Sequence, residues 1–249
     1  MKMKKFLLVA LLASMLTGCV TVTEGVPQEE YDALLEKYEA VVAERDALLG
    51  GEPVVETEHP QPAVAFDEEK VISQLDVTEY SFGDGYWNYH FLVVKNNSAY
   101  TLEISAATKY YDASGNLVGA KDDEEYAVGS GSEICLYFMP DEEYATSEYE
   151  LSVQEDEWYE SVVGDLTYES IPAKEKEIVS VTNNGSEAAE FVEVYALFFN
   201  GDKPVDFNTG YFVDDDSELK PGKTITEEID CYEEYTSVRF FITGRRDNW

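Results

Sequence analysis

Two stretches of this chain repeat one another, and the repeat limits the fold more than any other feature. Val94-Lys95-Asn96-Asn97-Ser98 returns as Val181-Thr182-Asn183-Asn184-Gly185. Downstream, Ile104, Ala106, Thr108 and Tyr110 alternate in the first copy, and Val192, Val194, Ala196 and Phe198 in the second. Tyr111-Asp112 and Phe199-Asn200 then precede the turns Ala113-Ser114-Gly115-Asn116 and Gly201-Asp202-Lys203. Leu117-Val118 and Pro204-Val205 resume the chain, Ser130-Gly131 matches Pro221-Gly222, and Glu142-Glu143-Tyr144 matches Glu233-Glu234-Tyr235. The offset grows from 87 residues at Asn96 and Asn183 to 91 at Tyr144 and Tyr235, so the copies differ in their loops.

Alternation with a period of two puts every second side chain on one face of a strand. Gly, Asn and Asp clusters between short apolar runs are turn signals. The expected fold is mainly β: two tandem antiparallel immunoglobulin-like β-sandwich domains, 66–155 and 156–249, with six or seven short strands each. The Cys…Trp…Cys signature of immunoglobulin domains is missing, so the expectation concerns architecture alone. Cys135 aligns with Thr226, so Cys135 and Cys231 are not a repeated pair. Whether they form a disulfide stays open.

Charge narrows the class of partner. Asp and Glu number 52 against 17 Lys and Arg, a net charge of −35. Three of the lysines, Lys2, Lys4 and Lys5, sit at the very start; without them the balance is 14 against 52, or −38. Such a surface repels nucleic acid and anionic lipid headgroups and favours cations and basic partners. A hydrophobic content of 44%, with 18 Tyr and 12 Phe, is enough to build cores, so the charge does not signal disorder.

The lysines open a secretory leader. Phe6 to Met15 is almost wholly apolar but too short to span a bilayer as a helix, which needs about 20 residues. Leu16-Thr17-Gly18-Cys19 follows and resembles the bacterial lipobox. The resemblance implies that residues 1–18 are a lipoprotein signal peptide, cut before Cys19. It also implies a diacylglyceryl group on the Cys19 sulfur, with the new amino group often acylated. Each buried CH₂ contributes about 0.8 kcal/mol, so two or three chains anchor stably.

Residues 19–26 form a polar tether. Pro27-Gln28-Glu29-Glu30 then starts a predicted helix over 27–50, since Pro suits the first position and acids the positive end of the dipole. Tyr31, Leu34, Leu35, Tyr38, Val41, Val42, Leu48 and Leu49 follow a 3–4 spacing, Arg45 interrupts the seam, and Gly50-Gly51 ends it. Two readings stand: a short coiled-coil stalk that makes a homo-oligomer, or a lone amphipathic helix, marginal at this length. Residues 51–65, rich in Pro and Glu, are expected to be a disordered, extended linker.

The segment Val93 to Val118 resembles the FxLYD-type domain of bacterial surface lipoproteins. The likeness rests on its Asn-Asn turn, its alternating strand, Tyr110-Tyr111-Asp112, a Gly turn and a Leu-Val restart. Thr108 stands where the motif has Phe, and the second copy has Phe198-Phe199-Asn200. The resemblance implies an extracytoplasmic β-sandwich without known catalysis, often behind a lipobox.

Candidate chemistry is sparse. Of two histidines, His59 lies in the linker and His90 among Trp87, Tyr89 and Phe91 on a strand; no nucleophile elbow accompanies a Ser. There is no phosphate-cradling Gly loop, so no cofactor and no enzymatic activity are expected. Asp214-Asp215-Asp216-Ser217-Glu218 is the densest acidic turn, with Lys121-Asp122-Asp123-Glu124-Glu125 similarly placed in the first copy. Neither has EF-hand spacing, and no metal site is assigned; the plainer reading is a solvated, edge-protecting loop. Tyr80, Tyr86, Trp87, Tyr89, Tyr111, Tyr126, Tyr137, Tyr144, Tyr149, Trp158 and Tyr159 exceed what one small core needs. They suit core packing and cross-strand pairs, or a binding surface. Asn96-Asn97-Ser98 and Asn184-Gly185-Ser186 have the sequon pattern but read as turns.

The expected protein is a lipid-anchored extracytoplasmic lipoprotein at the bacterial cell surface, on the membrane through Cys19. It acts as a non-catalytic module that binds a protein or an envelope polymer and no nucleic acid. The alternatives are a Ca²⁺-dependent adhesion module, or a structural spacer or oligomer organised by the helical stalk.

Overall fold

The computed structural model describes residues 66–83 and 87–248, together with Leu35, Lys37 and Tyr38. The leader, Cys19, the tether, the linker with His59, and Tyr86 lie outside the described residues. So does most of the predicted 27–50 helix; of that span Leu35, Lys37 and Tyr38 are described and are helical. Phe66–Trp249 form one compact unit.

That unit begins with a short helix, α1 (Glu68–Ile72). Asp67 caps it, its Oδ1 accepting the Lys70 N–H at 3.1 Å. Six strands follow: β1 (Leu75–Gly83), β2 (Asn88–Asn96), β3 (Leu102–Tyr111), β4 (Leu117–Val128), β5 (Glu133–Phe138) and β6 (Thr146–Glu155). They pair antiparallel as two sheets, β1-β2-β5 and β4-β3-β6.

The second half adds β7 (Tyr159–Ser161), a 3₁₀ turn (Val163–Asp165), β8 (Leu166–Ala173), β9 (Lys176–Asn183), β10 (Ala189–Asn200) and β11 (Lys203–Tyr211). It ends with β12 (Glu218–Leu219), β13 (Thr224–Asp230) and β14 (Ser237–Asp247). Its sheets are β13-β9-β8 and β11-β10-β14-β7, with β12 on β10. Strands β8, β9, β10, β11, β13 and β14 therefore take the places of β1 to β6, and the short β7 and β12 are additions. Among the described residues no strand pairs across the halves.

The Asn-Asn motif sits at the same corner of both halves. Asn96 is fully buried, and its Nδ2 donates to the carbonyls of Tyr100 and Val128, both at 2.9 Å. Asn183 donates to those of Glu187 and Leu219, both at 2.8 Å. Each backbone carbonyl accepts from a turn glycine, Gly131 at 2.7 Å and Gly222 at 2.8 Å. Those glycines have φ of 80° and 70°, the left-handed region where a side chain is strained. Their sequence positions match because the turn geometry requires it.

Each half has its own core between its two sheets. In the first, Leu92, Val94, Leu102, Ile104, Tyr110, Leu136 and Phe138 pack together; in the second, Val179, Val181, Val192, Val194, Phe198 and Phe212 do. A third cluster joins the halves. Phe91, Val93 and Cys135, on the outer face of β2 and β5, pack against Leu197, Phe199 and Phe241 of β10 and β14. The Phe91 ring lies 4.9 Å from Phe207, and Tyr80 lies 5.3 Å from Phe199. This contact explains the unbroken apolar runs Phe91 to Val94 and Ala196 to Phe199: both faces of β2 and β10 are covered. Fully burying one such ring stabilises by about 1.5–3 kcal/mol. Arg239 on β14 borders the cluster, donating to the Tyr80 hydroxyl and to Glu133 on β5, both at 3.0 Å.

Both cysteines are free and buried, Cys135 in the shared cluster and Cys231 in the core of the second half. The acidic run Lys121–Glu125 is not a turn like Asp214–Ser217 but the middle of β4. Pairing of its backbone with β3 along its whole length overrides the poor strand propensity of Asp and Glu.

Candidate functional site

The β4 strand turns Asp123 and Glu125 to one side and leaves Asp122 and Glu124 exposed on the other. On β10 the odd-numbered residues face the first half: Glu193 and Tyr195 continue the row of Leu197 and Phe199. Glu193 is paired with Tyr211 of β11. Three half-buried carboxylates, Asp123, Glu125 and Glu193, thus come together from both halves beside Tyr137, Tyr195 and Tyr211.

Hydrogen bonds fix the group. Asp123 Oδ2 accepts the Tyr137 N–H at 2.9 Å, and the Tyr195 hydroxyl donates to Glu193 Oε2 at 3.1 Å. Tyr137, Tyr195 and Phe207 form a wall, with Tyr137 5.0 Å from Phe207 and Tyr195 6.2 Å from it. Burial and its neighbours Glu193 and Asp123 push the Glu125 carboxyl up to about 7, against the backbone bond at Tyr126 and the positive charge of Arg245. Burial raises Asp123 and Glu193 as well, opposed at Glu193 by hydrogen bonds from Tyr195, Thr209 and Tyr211. The Tyr195 phenol is raised by its own burial and by the carboxylates; that of Tyr211, 61% exposed, is raised by Glu193 first.

The nearby cation is held away by rings. The Arg245 guanidinium lies over Tyr159 at 4.3 Å, Phe191 at 4.7 Å and Tyr126 at 5.2 Å. Phe191 reaches it from a bulge in β10, where its φ is 51° and the register to β14 shifts. Among the described residues Arg245 closes no ion pair. The seam therefore presents incompletely compensated negative charge flanked by aromatic faces, a chemistry suited to an ammonium or guanidinium group.

The residues expected from sequence fall elsewhere. His90 is fully buried on β2, with Nε2 2.9 Å from Glu79 and Nδ1 3.1 Å from the Tyr110 hydroxyl. Burial lowers its pKa against the pull of Glu79. Tyr110 is itself fully buried, so this line of groups ties β1, β2 and β3 together inside the core. Glu177 holds the matching place in the second half and accepts from Tyr235 at 2.8 Å. Asp214 pairs with Lys223, and Asp216 with Lys220 at 2.6 Å. No group of three or more His, Cys, Asp or Glu among the described residues is arranged to hold a metal ion. Asn96 of the first sequon pattern is buried, and Asn184 of the second bonds Thr167 at 2.9 Å, as turn residues do.

The aromatic surplus divides. Tyr80 and Tyr89 border the shared cluster, Tyr126 and Tyr159 flank Arg245, Tyr144 lies 4.7 Å from Tyr110, and Tyr111 donates to Glu148 at 3.0 Å. Trp87, Tyr149 and Trp158 are exposed. Sequence reasoning passed over Glu193 and Arg245. The available signal was Glu193 itself, a lone charge inside Phe191 to Phe199. Among the described residues no helix is long and apolar enough to cross a membrane. The chain matches no protein-family model and no curated protein.

Proposed function

We propose that this chain is a non-catalytic binding module that presents the carboxylate–tyrosine seam to a basic ligand outside the cytoplasm. The observation that carries this reading is the convergence of Asp123, Glu125 and Glu193 beside three tyrosines, with the Arg245 guanidinium stacked on rings. The ligand chemistry is an exposed Arg or Lys segment of a protein, or an amine-bearing envelope polymer. The lipobox-like Leu16 to Cys19 supports a bacterial cell-surface lipoprotein anchored through Cys19, and the repeat supports two FxLYD-like, immunoglobulin-like sandwich domains. Isothermal titration with an oligo-arginine peptide tests the binding. Saturable heat that weakens with salt supports it, and its absence removes it. Mass measurement of membrane-extracted wild type and Cys19→Ala tests the anchor separately.

A second reading is a rigid spacer. The apolar cluster shared by the two halves favours it, because such a joint fixes their mutual orientation.

A further inference from the structure

The junction between the halves carries opposite electrostatics at its two ends. At one end Arg239 of β14 clasps Glu133 and Tyr80 of the first half. At the other, Asp123 and Glu125 of β4 confront Glu193 of β10. The shared cluster of Phe91, Val93, Cys135, Leu197, Phe199 and Phe241 lies along this junction. From these placements we infer that the junction is a proton-controlled joint: it is closed when the carboxylate end carries a proton and loosens at that end when the last proton leaves.

The charged and titratable groups around Glu125 come from four strands. Asp123 lies on its own strand, Glu193 and Tyr195 on β10, Tyr211 on β11 and Arg245 on β14, while Tyr137 on β5 bonds Asp123 through its backbone N–H. Arg245 is the cation among them, and it shares its charge with Glu190, whose own neighbours include Asp247 and Glu218. Closing the joint takes Glu125 partly out of water beside two other carboxylates, which raises its proton affinity to about 7. A group whose pKa is raised on closure favours the closed form fully below its ordinary carboxylate value. That preference is lost as pH rises through about 7. No ligand is involved, so the joint stands or falls independently of the binding reading.

Cys135 reports the opening and Cys231 supplies an internal control, since one thiol lies in the joint and the other in the second core. The full chain is labelled with a small maleimide at pH 8 and at pH 5.5, and peptide mass mapping reads each site. Comparing wild type with Glu125→Gln at the same pH cancels the thiol's own titration. At pH 8 the variant is expected to label about fivefold more slowly at Cys135, with Cys231 unchanged. At pH 5.5, between the ordinary carboxylate value and the raised one, the difference is expected to shrink. Glu193→Gln, removing the partner across the joint, is expected to act in the same direction and serves where Glu125→Gln is poorly folded by circular dichroism. Equal Cys135 rates at pH 8 in wild type and in whichever variant folds, or a difference at pH 5.5 as large as at pH 8, would overturn the inference.

Discussion

Asn96 and Asn183 hold the same corner of the two halves: each is buried, and each ties the loop after its strand to a carbonyl three residues ahead of the turn glycine, Gly131 or Gly222. Asn96 Nδ2 donates to Tyr100 and Val128, and Asn183 Nδ2 to the repeat-equivalent Glu187 and Leu219. The side-chain oxygens accept from the backbone two residues on, Ser98 at 2.9 Å and Gly185 at 2.8 Å. The motif is repeated because this corner needs an amide that donates and accepts at once.

Removing the amide strands buried carbonyls. Asn96→Ala is expected to cost about 2–4 kcal/mol, because the group deleted leaves unpaired partners behind. Asn183→Ala is expected to cost a similar amount. Urea unfolding checks this as a lower midpoint at unchanged slope. A loss below about 0.5 kcal/mol would mean the corner is solvated.

The shared cluster is expected to couple the unfolding of the two halves. Scanning calorimetry of the wild type is expected to show one transition for residues 66–249. Phe91→Ala should cost about 3–5 kcal/mol and split it in two. Two independent transitions in the wild type would show that the cluster contributes little.

Much of this was legible in advance. The alternation at Ile104 to Tyr110 and at Val192 to Phe198 placed both inner core faces correctly, because a period of two has only one reading when the apolar set is continuous. The pairing of the outer faces was not legible. Phe91 and Val93 announce an apolar face but not what covers it, and their partners Leu197 and Phe199 are distant in sequence. The seam was missed for a related reason. Asp123 and Glu125 read as part of a solvated acidic stretch, and only the approach of β10 puts Glu193 beside them.

His90 sets an acid limit on stability. Its folded pKa lies below the ordinary 6.5, so the unfolded chain binds the proton more readily than the buried ring does. Its contribution is complete above pH 6.5 and is lost as pH falls below it. Glu125 acts with opposite sign across an overlapping range, so the difference between wild type and His90→Gln isolates the histidine. Urea unfolding between pH 7.5 and pH 5 is expected to show a shallower acid loss in the variant. Parallel profiles would assign the loss to other groups.

The seam is a site if its own carboxylates, and not the diffuse charge of a chain at −35, govern binding. Two double variants separate these. Glu125→Gln with Glu193→Gln removes two carboxylates from the seam, and Glu142→Gln with Glu143→Gln removes two from an exposed loop. Affinity for an oligo-arginine peptide is measured by titration calorimetry at fixed salt and pH. The seam pair is expected to weaken binding about tenfold or more, and the loop pair less than about twofold. Equal losses from both pairs would contradict the seam as the binding site and leave only the diffuse charge of the surface.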